Sequence, residues 1–161
     1  MRYSSIREMD ISNGKGIGVS LFVQGCRKRC HGCYNQDTWD FCGGKEWTQE
    51  VEDKFLQLVT QHYVTRFSIL GGEPAEYAHE LMHLIAKVKS IKPSIKVWIW
   101  SGYTFDEIMS SRERSKMLLQ ADYLIDGRYI ETLKDLSLPF RGSSNQKIHQ
   151  RINETTWRVI E

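Results

Sequence analysis

Four short apolar runs are spaced along the chain, and each ends at a loop that contains glycine or cysteine. They cover residues 18–23, 66–70, 95–100 and 122–125. Their length and their Val, Ile, Phe and Trp content are typical of β-strands. The segments between the later runs place apolar residues at helical spacing. This alternation predicts an α/β fold with parallel strands and right-handed helical crossovers.

The predicted helices have recognisable first turns. A helix over residues 48–64 begins at Thr48, which is placed to cap it, and a second helix covers residues 76–90. Thr104 and Glu107 fit a capping box that opens a third helix, running with a break toward Leu119. Residues 139–161 have weak periodicity, so we expect irregular structure there or a closing strand near 157–160.

The loops after the four strands carry most of the residues able to do chemistry. A cysteine loop follows the first strand, and the later strands end at Gly71-Gly72-Glu73-Pro74, Ser101-Gly102-Tyr103 and Asp126-Gly127-Arg128-Tyr129. Ligands of such folds bind beyond the carboxyl ends of the strands, so we expect the loops to meet on one rim. Only about four to six strand–helix units fit, too few to close an eight-unit barrel. The prediction is a partial βα barrel with an open side.

Length and charge limit the class of protein. The 161 residues predict one domain over 1–161. A net charge of +2 without a long Lys/Arg block does not indicate a nucleic-acid partner. The first residues lack a signal-peptide core, and no apolar run approaches the roughly 18 residues of a membrane helix. We therefore expect a cytoplasmic protein, in which clustered cysteines bind metal or take part in catalysis rather than form disulfides.

Three cysteines lie in the loop after the first strand, in the segment Cys26-Arg-Lys-Arg-Cys30-His-Gly-Cys33. Thiolates gathered this closely usually hold a soft metal or an iron–sulfur cluster. A four-iron cluster normally takes four cysteines, so three leave one iron open to a substrate or cofactor. The C-x3-C-x2-C spacing therefore predicts a [4Fe–4S] cluster on Cys26, Cys30 and Cys33 with one open iron.

Two alternatives remain open for these cysteines. A histidine from elsewhere in the chain could complete a zinc site, although structural zinc sites usually present two separated ligand pairs. Cys42, nine residues beyond Cys33, could close a fourth metal bond. An unliganded thiol in a surface loop is the simpler interpretation of Cys42.

Gly71-Gly72-Glu73-Pro74 is the second signal. Two glycines let a ligand approach the backbone, and the neighbouring carboxylate can receive an ammonium group. Alone, Gly-Gly-x-Pro is usually an ordinary turn. Beside the cysteine loop, it predicts a site for a small amino-acid-like ligand.

Other motifs have simpler interpretations. The glycines of residues 13–18 precede a strand, whereas phosphate-binding loops follow a strand and open a helix, so we predict a turn. Trp98 and Trp100 alternate with apolar neighbours and are expected to pack.

Residues 141–145 form either a surface loop or a loop that docks a partner. The basic run 27–29 is solvated surface, or raises the cluster's reduction potential, or attracts an acidic electron donor.

Together these features resemble the radical S-adenosylmethionine (SAM) enzymes, whose signature is a C-x3-C-x2-C loop followed by a Gly-Gly-Glu-Pro-like strand end. Within that superfamily the chain is most similar to the activating enzymes of anaerobic ribonucleotide reductases. The segments that carry this resemblance are Asp10-Ile-Ser-Asn-Gly14, Leu21-Phe-Val-Gln-Gly-Cys26, Gly32-Cys-Tyr-Asn35, Thr38-Trp39, Trp98-Ile-Trp-Ser-Gly-Tyr103, Asp126-Gly127 and Arg141-Gly-Ser-Ser-Asn145. Two positions depart from the wider pattern: Gly32 stands where an aromatic residue usually packs on adenine, and Glu73 stands where Asp is frequent.

The resemblance implies a role for each site residue. It implies that the three cysteines bind three irons of the cluster and that the fourth iron takes the amino and carboxylate groups of SAM. The contacts implied for SAM are the backbone of Gly32, Cys33 and Tyr34 near the adenine, Gly72, Glu73 and Pro74 at the methionine amino group, and Ser101 and Asp126 at the carboxylate or ribose hydroxyls. Adenine stacking would then come from Tyr34 or from elsewhere.

The resemblance also implies an activity and partners. Reductive cleavage of SAM would give a 5′-deoxyadenosyl radical, which would remove hydrogen from a glycine of the large reductase subunit. A reduced flavodoxin-like protein would supply the electron, and a homodimer is compatible with the family. Two rival functions are a short radical enzyme acting on a small molecule, such as a deazapurine precursor, and a zinc- or cluster-bearing binding module or electron carrier.

Overall fold

The structure, a computed structural model, describes residues 1–161, and its eight strands form one sheet. The strands are β1 (Arg2–Asp10), β2 (Gly18–Val23), β3 (Lys45–Glu46), β4 (Arg66–Gly71), β5 (Lys96–Trp100), β6 (Tyr123–Asp126), β7 (Lys147–Arg151) and β8 (Trp157–Val159). The helices are α1 (Gln49–Val59), α2 (Ala78–Ile91), α3 (Phe105–Met109) and α4 (Arg112–Leu118). The order across the sheet is β3-β1-β2-β4-β5-β6-β7-β8.

The centre of the sheet has the predicted topology. Strands β2, β4, β5 and β6 are neighbours, and each pairs with the next in parallel. Helices α1, α2 and the α3–α4 pair connect them in turn. The prediction of an α/β fold with parallel strands is confirmed for this central unit. The sheet as a whole is mixed, because antiparallel strands extend both of its edges.

The antiparallel strands are the part of the fold that the sequence pattern did not predict, apart from β8, which falls within the expected closing strand at 157–160. In β1 only Tyr3 and Asp10 are buried among nine residues. In β7 only Ile148 and His149 are buried. A strand that covers the edge of a sheet and meets solvent needs no long apolar alternation, so periodicity does not reveal it.

The helix ends follow the capping chemistry of the sequence. The Thr48 hydroxyl accepts a backbone N–H of the first turn of α1, and the helix ends at Val59, five residues before the predicted end. The capping box of Thr104 and Glu107 is present at α3. The predicted break falls between α3 and α4, where Ser111 caps the second helix.

Two apolar clusters hold the sheet. The larger contains 23 buried residues, contributed by the central strands, by β1 and by the helices that cover them. The smaller is formed by Trp98, Ile125 and Ile148, with Trp100 packed against it. Trp98 stacks on Tyr123 with ring centroids 4.0 Å apart, so the expectation that these tryptophans pack is confirmed.

The glycine-containing segment 13–18 is a turn, as predicted, and joins β1 to the antiparallel β2. Gly14 has φ +115°, a left-handed conformation that favours glycine. The Asn13 carbonyl accepts hydrogen bonds from the Ser68 hydroxyl at 2.6 Å and from the buried Arg66 guanidinium. This end of the sheet is therefore fixed by a buried polar network.

None of the four helices has the length and apolar content needed to cross a membrane.

Candidate iron–sulfur site

A cavity of about 140 Å³ lies at the carboxyl ends of the parallel strands. Residues from the loops after β2, β4, β5 and β6 line it together, so the predicted meeting of these loops on one rim is confirmed. Six of the predicted site residues contribute to the lining: Cys26, Cys30, Cys33, Gly72, Glu73 and Ser101.

Backbone hydrogen bonds shape the cysteine loop that follows β2. The Cys26 N–H donates to the Trp39 carbonyl at 3.1 Å, and the Cys33 N–H donates to the Cys30 carbonyl at 3.1 Å. Arg29, between the first two cysteines, has φ +46°, which is uncommon for a residue with a side chain. The chain therefore curls back on itself, which brings the three half-buried thiols to one cavity.

The environment of Cys26 affects its readiness to bind metal. Burial raises the pKa of the Cys26 thiol, while backbone N–H groups at Arg29 and Lys28 act in the opposite direction by favouring the thiolate. The thiolate is the form that binds metal, so loading this site releases a proton. At Cys33 the sulfur accepts the Asn35 N–H at 3.4 Å. Hydrogen bonds of this kind to the ligand sulfurs are one of the factors that set a cluster's reduction potential.

The donor set fits an iron–sulfur cluster with three protein ligands. No three His, Cys, Asp or Glu side chains are arranged to hold a single metal ion, and the three cysteines instead surround a cavity. Cys42 is exposed and does not line that cavity. No histidine lines it either. The donors at this cavity are thus three thiols, the number that a cluster with one open iron would use.

Glu73 is the buried charge of the cavity, with only 1% of its surface exposed. Its Oε1 accepts the Ser101 hydroxyl at 2.7 Å and the Ala75 N–H at 3.0 Å, and its Oε2 accepts the Gly102 N–H at 2.7 Å. Burial raises the pKa of this carboxyl above its ordinary value, although these hydrogen bonds oppose the rise. A carboxylate can accept about four hydrogen bonds, so one position remains for a ligand cation.

Gly72 brings the two functional loops into backbone contact. Its N–H donates to the Val23 carbonyl at 2.8 Å, and the Glu73 N–H donates to the Gly25 carbonyl at 2.9 Å. A Cβ on Gly72 would overlap the Gly25 carbonyl oxygen. Glycine is therefore required here because two loops pack together, a reason that the motif alone did not reveal.

Four predicted residues do not line the cavity: Gly32, Tyr34, Pro74 and Asp126. The Asp126 carboxylate accepts the Phe105 N–H at 2.7 Å and the Lys147 N–H at 3.2 Å, and lies 3.1 Å from His149 Nε2. Burial alone would raise the pKa of Asp126, but the nearby His149 imidazole and the backbone hydrogen bonds hold it below its ordinary value. Asp126 therefore joins β6, α3 and β7 beside the cavity.

Several lining residues were not among the predicted site residues. They include Lys28, Asn35, Trp39, Gly127, Tyr129 and Gln146. Tyr129 lies in the Asp-Gly-Arg-Tyr loop, and the position of this loop after a strand indicated that it would reach the rim. Gln146 precedes the unpredicted strand β7, and no motif marks it.

The raised pKa of Glu73 predicts a pH-dependent stability. The folded state holds the proton of Glu73 more tightly than the unfolded chain does. The contribution of this group to the free energy of unfolding is therefore complete below the ordinary pKa of 4.5, and it is lost as pH rises through the folded pKa. We expect the free energy of unfolding of the metal-free protein to fall over this range relative to the Glu73→Gln variant. Urea denaturation of both proteins at a series of pH values measures the difference. Parallel curves for the two proteins would contradict it.

Comparisons with known proteins agree with this geometry. A family model described as a 4Fe-4S single cluster domain matches residues 12–149. The chain is 38% identical to the anaerobic ribonucleoside-triphosphate reductase-activating protein of Vibrio cholerae serotype O1, over 93% of this chain and 98% of the relative. Proteins of the same name from Escherichia coli strain K12 and Enterobacteria phage T4 are each 34% identical, over 92% of this chain and 98% and 93% of the relatives.

The fold and its three-cysteine cavity thus define a single-cluster iron–sulfur protein. The similarity extends over nearly the whole chain and nearly the whole of each relative. The chain belongs to the family of anaerobic ribonucleoside-triphosphate reductase-activating proteins.

Proposed function

We propose that this protein is an iron–sulfur, SAM-dependent activase that generates a glycyl radical on an anaerobic ribonucleotide reductase. Its relatives are named as activators of that reductase. The observation that carries the proposal is the meeting of three free cysteines with the buried Glu73 carboxylate in one cavity.

In this proposal Cys26, Cys30 and Cys33 hold three irons of a [4Fe–4S] cluster, and SAM binds the fourth. When bound, the cluster and SAM would supply the one-electron radical chemistry that removes a hydrogen atom from a reductase glycine. The protein's own residues orient SAM and exclude water from the cavity.

The methionine end of SAM is assigned to the Gly-Gly-Glu-Pro loop. Glu73 receives the ammonium group through its remaining acceptor position, and Gly72 lets the ligand reach the backbone before Pro74. Ser101 keeps the carboxylate of Glu73 aimed at the cavity through their 2.7 Å hydrogen bond. A bound ammonium would favour the ionised form of Glu73 and offset the cost of burying that charge.

The other implied contacts border the cavity. Gly32 and Tyr34 flank Cys33 and are assigned to the adenine side. Asp126 lines a neighbouring cavity, and the two cavities share Gly127. The Asp126 carboxylate accepts the backbone N–H groups of Phe105 and Lys147, so its proposed role includes fixing the loop that carries Gly127.

The partner glycine is proposed to reach the site from an open side of a partial βα barrel. The sheet has two free edges, β3 and β8, and only four central parallel strands, which supports an incomplete barrel. A closed eight-unit barrel would shield the cavity from a protein loop. An open wall suits a macromolecular substrate.

The proposed electron donor is a reduced flavodoxin-like protein that docks at the cysteine loop. The Arg27 side chain is 75% exposed there, and Lys28 lines the cavity. Positive charge beside the cluster would attract an acidic partner and accelerate encounter. We also propose that the protein can form a homodimer. The cavity itself requires no residue from a second copy.

The proposal is tested by mixing the reconstituted protein with its reductase, SAM and a reductant without oxygen. We expect a glycyl radical signal on the reductase and release of 5′-deoxyadenosine and methionine. The control omits SAM. Turnover of a small molecule without any protein partner, or no radical on the reductase despite SAM cleavage, would contradict the assigned substrate.

A further inference from the structure

The residue before the last cysteine of the cluster loop is Gly32, so this position cannot supply an aromatic ring to the cavity. It also cannot accept a side chain without rearrangement. Gly32 has φ +76°, and an added Cβ would overlap Oε2 of Glu131 and lie 2.6 Å from its Cδ. The space beside Gly32 is therefore filled by a side chain from the loop region after β6.

Glu131 connects that space to an aromatic ring. The Tyr129 hydroxyl donates a hydrogen bond to Glu131 Oε2 at 2.6 Å. This bond raises the pKa of Tyr129, so the phenol stays protonated and keeps its donor. Tyr129 itself lines the cavity together with the three cysteines, whereas Glu131 does not. Glu131 thus holds Tyr129 from outside the cavity.

Two more residues fix the ring. Tyr34 lies against it, with ring centroids 5.6 Å apart, and is 59% exposed without lining the cavity. A Cβ on Gly142 would lie 3.0 Å from Cδ2 of Tyr129, tighter than ordinary packing. The position of the Tyr129 ring is therefore determined by contacts from the cysteine loop and from the segment before β7.

Two other aromatic residues, Trp39 and Trp100, also line the cavity. The Trp100 indole N–H donates to the Phe140 carbonyl at 2.8 Å, and its ring packs against the smaller apolar cluster. The Arg29 guanidinium lies 5.9 Å from the centre of the Trp39 ring. Tyr129 is the aromatic residue of the lining whose position depends on Gly32.

We propose that Tyr129, held by Glu131 in the space beside Gly32, is the side chain that packs on the adenine of SAM. This inference rests on the proposed function, since it requires SAM in the cavity. It assigns the aromatic contact to the loop after β6 rather than to the cysteine loop. Gly32 and Glu131 then act as a pair: the carboxylate that positions Tyr129 occupies the side-chain space of Gly32, whose φ of +76° also favours glycine.

The test measures SAM affinity of the reconstituted protein by anaerobic equilibrium dialysis. Tyr129→Leu removes the stacking of the ring on the adenine and should therefore weaken SAM binding about tenfold. Tyr129→Phe keeps the ring but loses the hydrogen bond to Glu131, so we expect a loss of affinity smaller than that of Tyr129→Leu and similar to that of Gly32→Ala. The adenine-free sulfonium S-methylmethionine, used as a competitor, should bind wild type and Tyr129→Leu alike. Tyr63→Leu, at an aromatic residue that does not line the cavity, is the control and should bind SAM nearly as wild type does.

The outcomes separate this inference from the proposed function. If wild type does not bind SAM, the proposed function fails. If wild type binds SAM and Tyr129→Leu binds it equally well, or if Trp39→Leu shows the large loss instead, the assignment of Tyr129 is wrong. Equal weakening of SAM and S-methylmethionine by Tyr129→Leu would mean a general structural role and would also overturn it.

A second comparison tests the pairing of Gly32 with Glu131. Gly32→Ala should weaken SAM binding because the new methyl group displaces the carboxylate and frees Tyr129. Glu131→Ala removes the obstacle, so the two substitutions together should weaken binding by less than the product of their separate effects. If the loss of SAM affinity in the double variant equals the product of the two separate losses, the two positions are not coupled.

Discussion

Replacing Cys30 with alanine is expected to abolish the iron–sulfur cluster. Cys30 is one of three cysteines that line the cavity, and no other cysteine or histidine lines it to take its place. With two thiolates left, the cluster would have only half of the four cysteine ligands that [4Fe–4S] clusters normally have. Iron and sulfide content after anaerobic reconstitution should fall to background, and SAM cleavage should fall with them.

Cys42→Ala is the matched control for this prediction. Cys42 is a free, exposed cysteine outside the cavity, so its removal should leave iron content and SAM cleavage unchanged. A Cys30→Ala protein that still cleaves SAM would refute the ligand assignment. Loss of the cluster in Cys42→Ala would show that a fourth cysteine binds the metal.

Gly72→Ala is expected to separate the two loops that form the site. The new Cβ would overlap the Gly25 carbonyl oxygen and lie 2.9 Å from the Gly25 carbonyl carbon and nitrogen, all backbone atoms that cannot rotate away. The strand-end loop must move, and overpacking of this kind costs about 1–3 kcal/mol of stability. A displacement of about 1 Å at the methionine end should reduce the rate of SAM cleavage about a hundredfold.

Gly102→Ala is the comparison at the same cavity. Its φ is not in the left-handed region, and an added Cβ would lie 3.1 Å from Cγ of the flexible Lys28 side chain and 3.2 Å from Oε2 of Glu73, which is close but without the backbone overlap met at Gly72. We expect a much smaller loss of stability and of SAM cleavage in Gly102→Ala than in Gly72→Ala, measured by thermal unfolding and by 5′-deoxyadenosine release. Equal losses in the two variants would mean that the backbone contact with Gly25 is unimportant.

The central fold could be predicted because its strands are buried on both faces and read as continuous apolar runs. Strand β2 is buried at all six positions, and β4 at five of six. Helix starts were predictable from local chemistry, as at Thr104, whose capping box forms as expected. The antiparallel strands β1, β3 and β7 were not, because their stability comes from pairing with a strand that is already present.

The site was predictable where a motif and a strand end coincide. The cysteine loop and Glu73 meet as expected because parallel strands place their carboxyl ends at one edge. Tyr129 and Glu131 are different, since their relation to Gly32 depends on how the loop after β6 folds back on the cysteine loop. That is a tertiary contact across about a hundred residues of chain, and neither spacing nor composition encodes it locally.

The account is tested most directly by the electron paramagnetic resonance spectrum of the reconstituted, reduced protein, recorded with and without SAM. An open iron in a three-cysteine cluster predicts a [4Fe–4S]⁺ signal that changes shape when SAM is added. A cluster signal that SAM does not alter, or a silent spectrum with zinc bound to the protein, would contradict the proposed site.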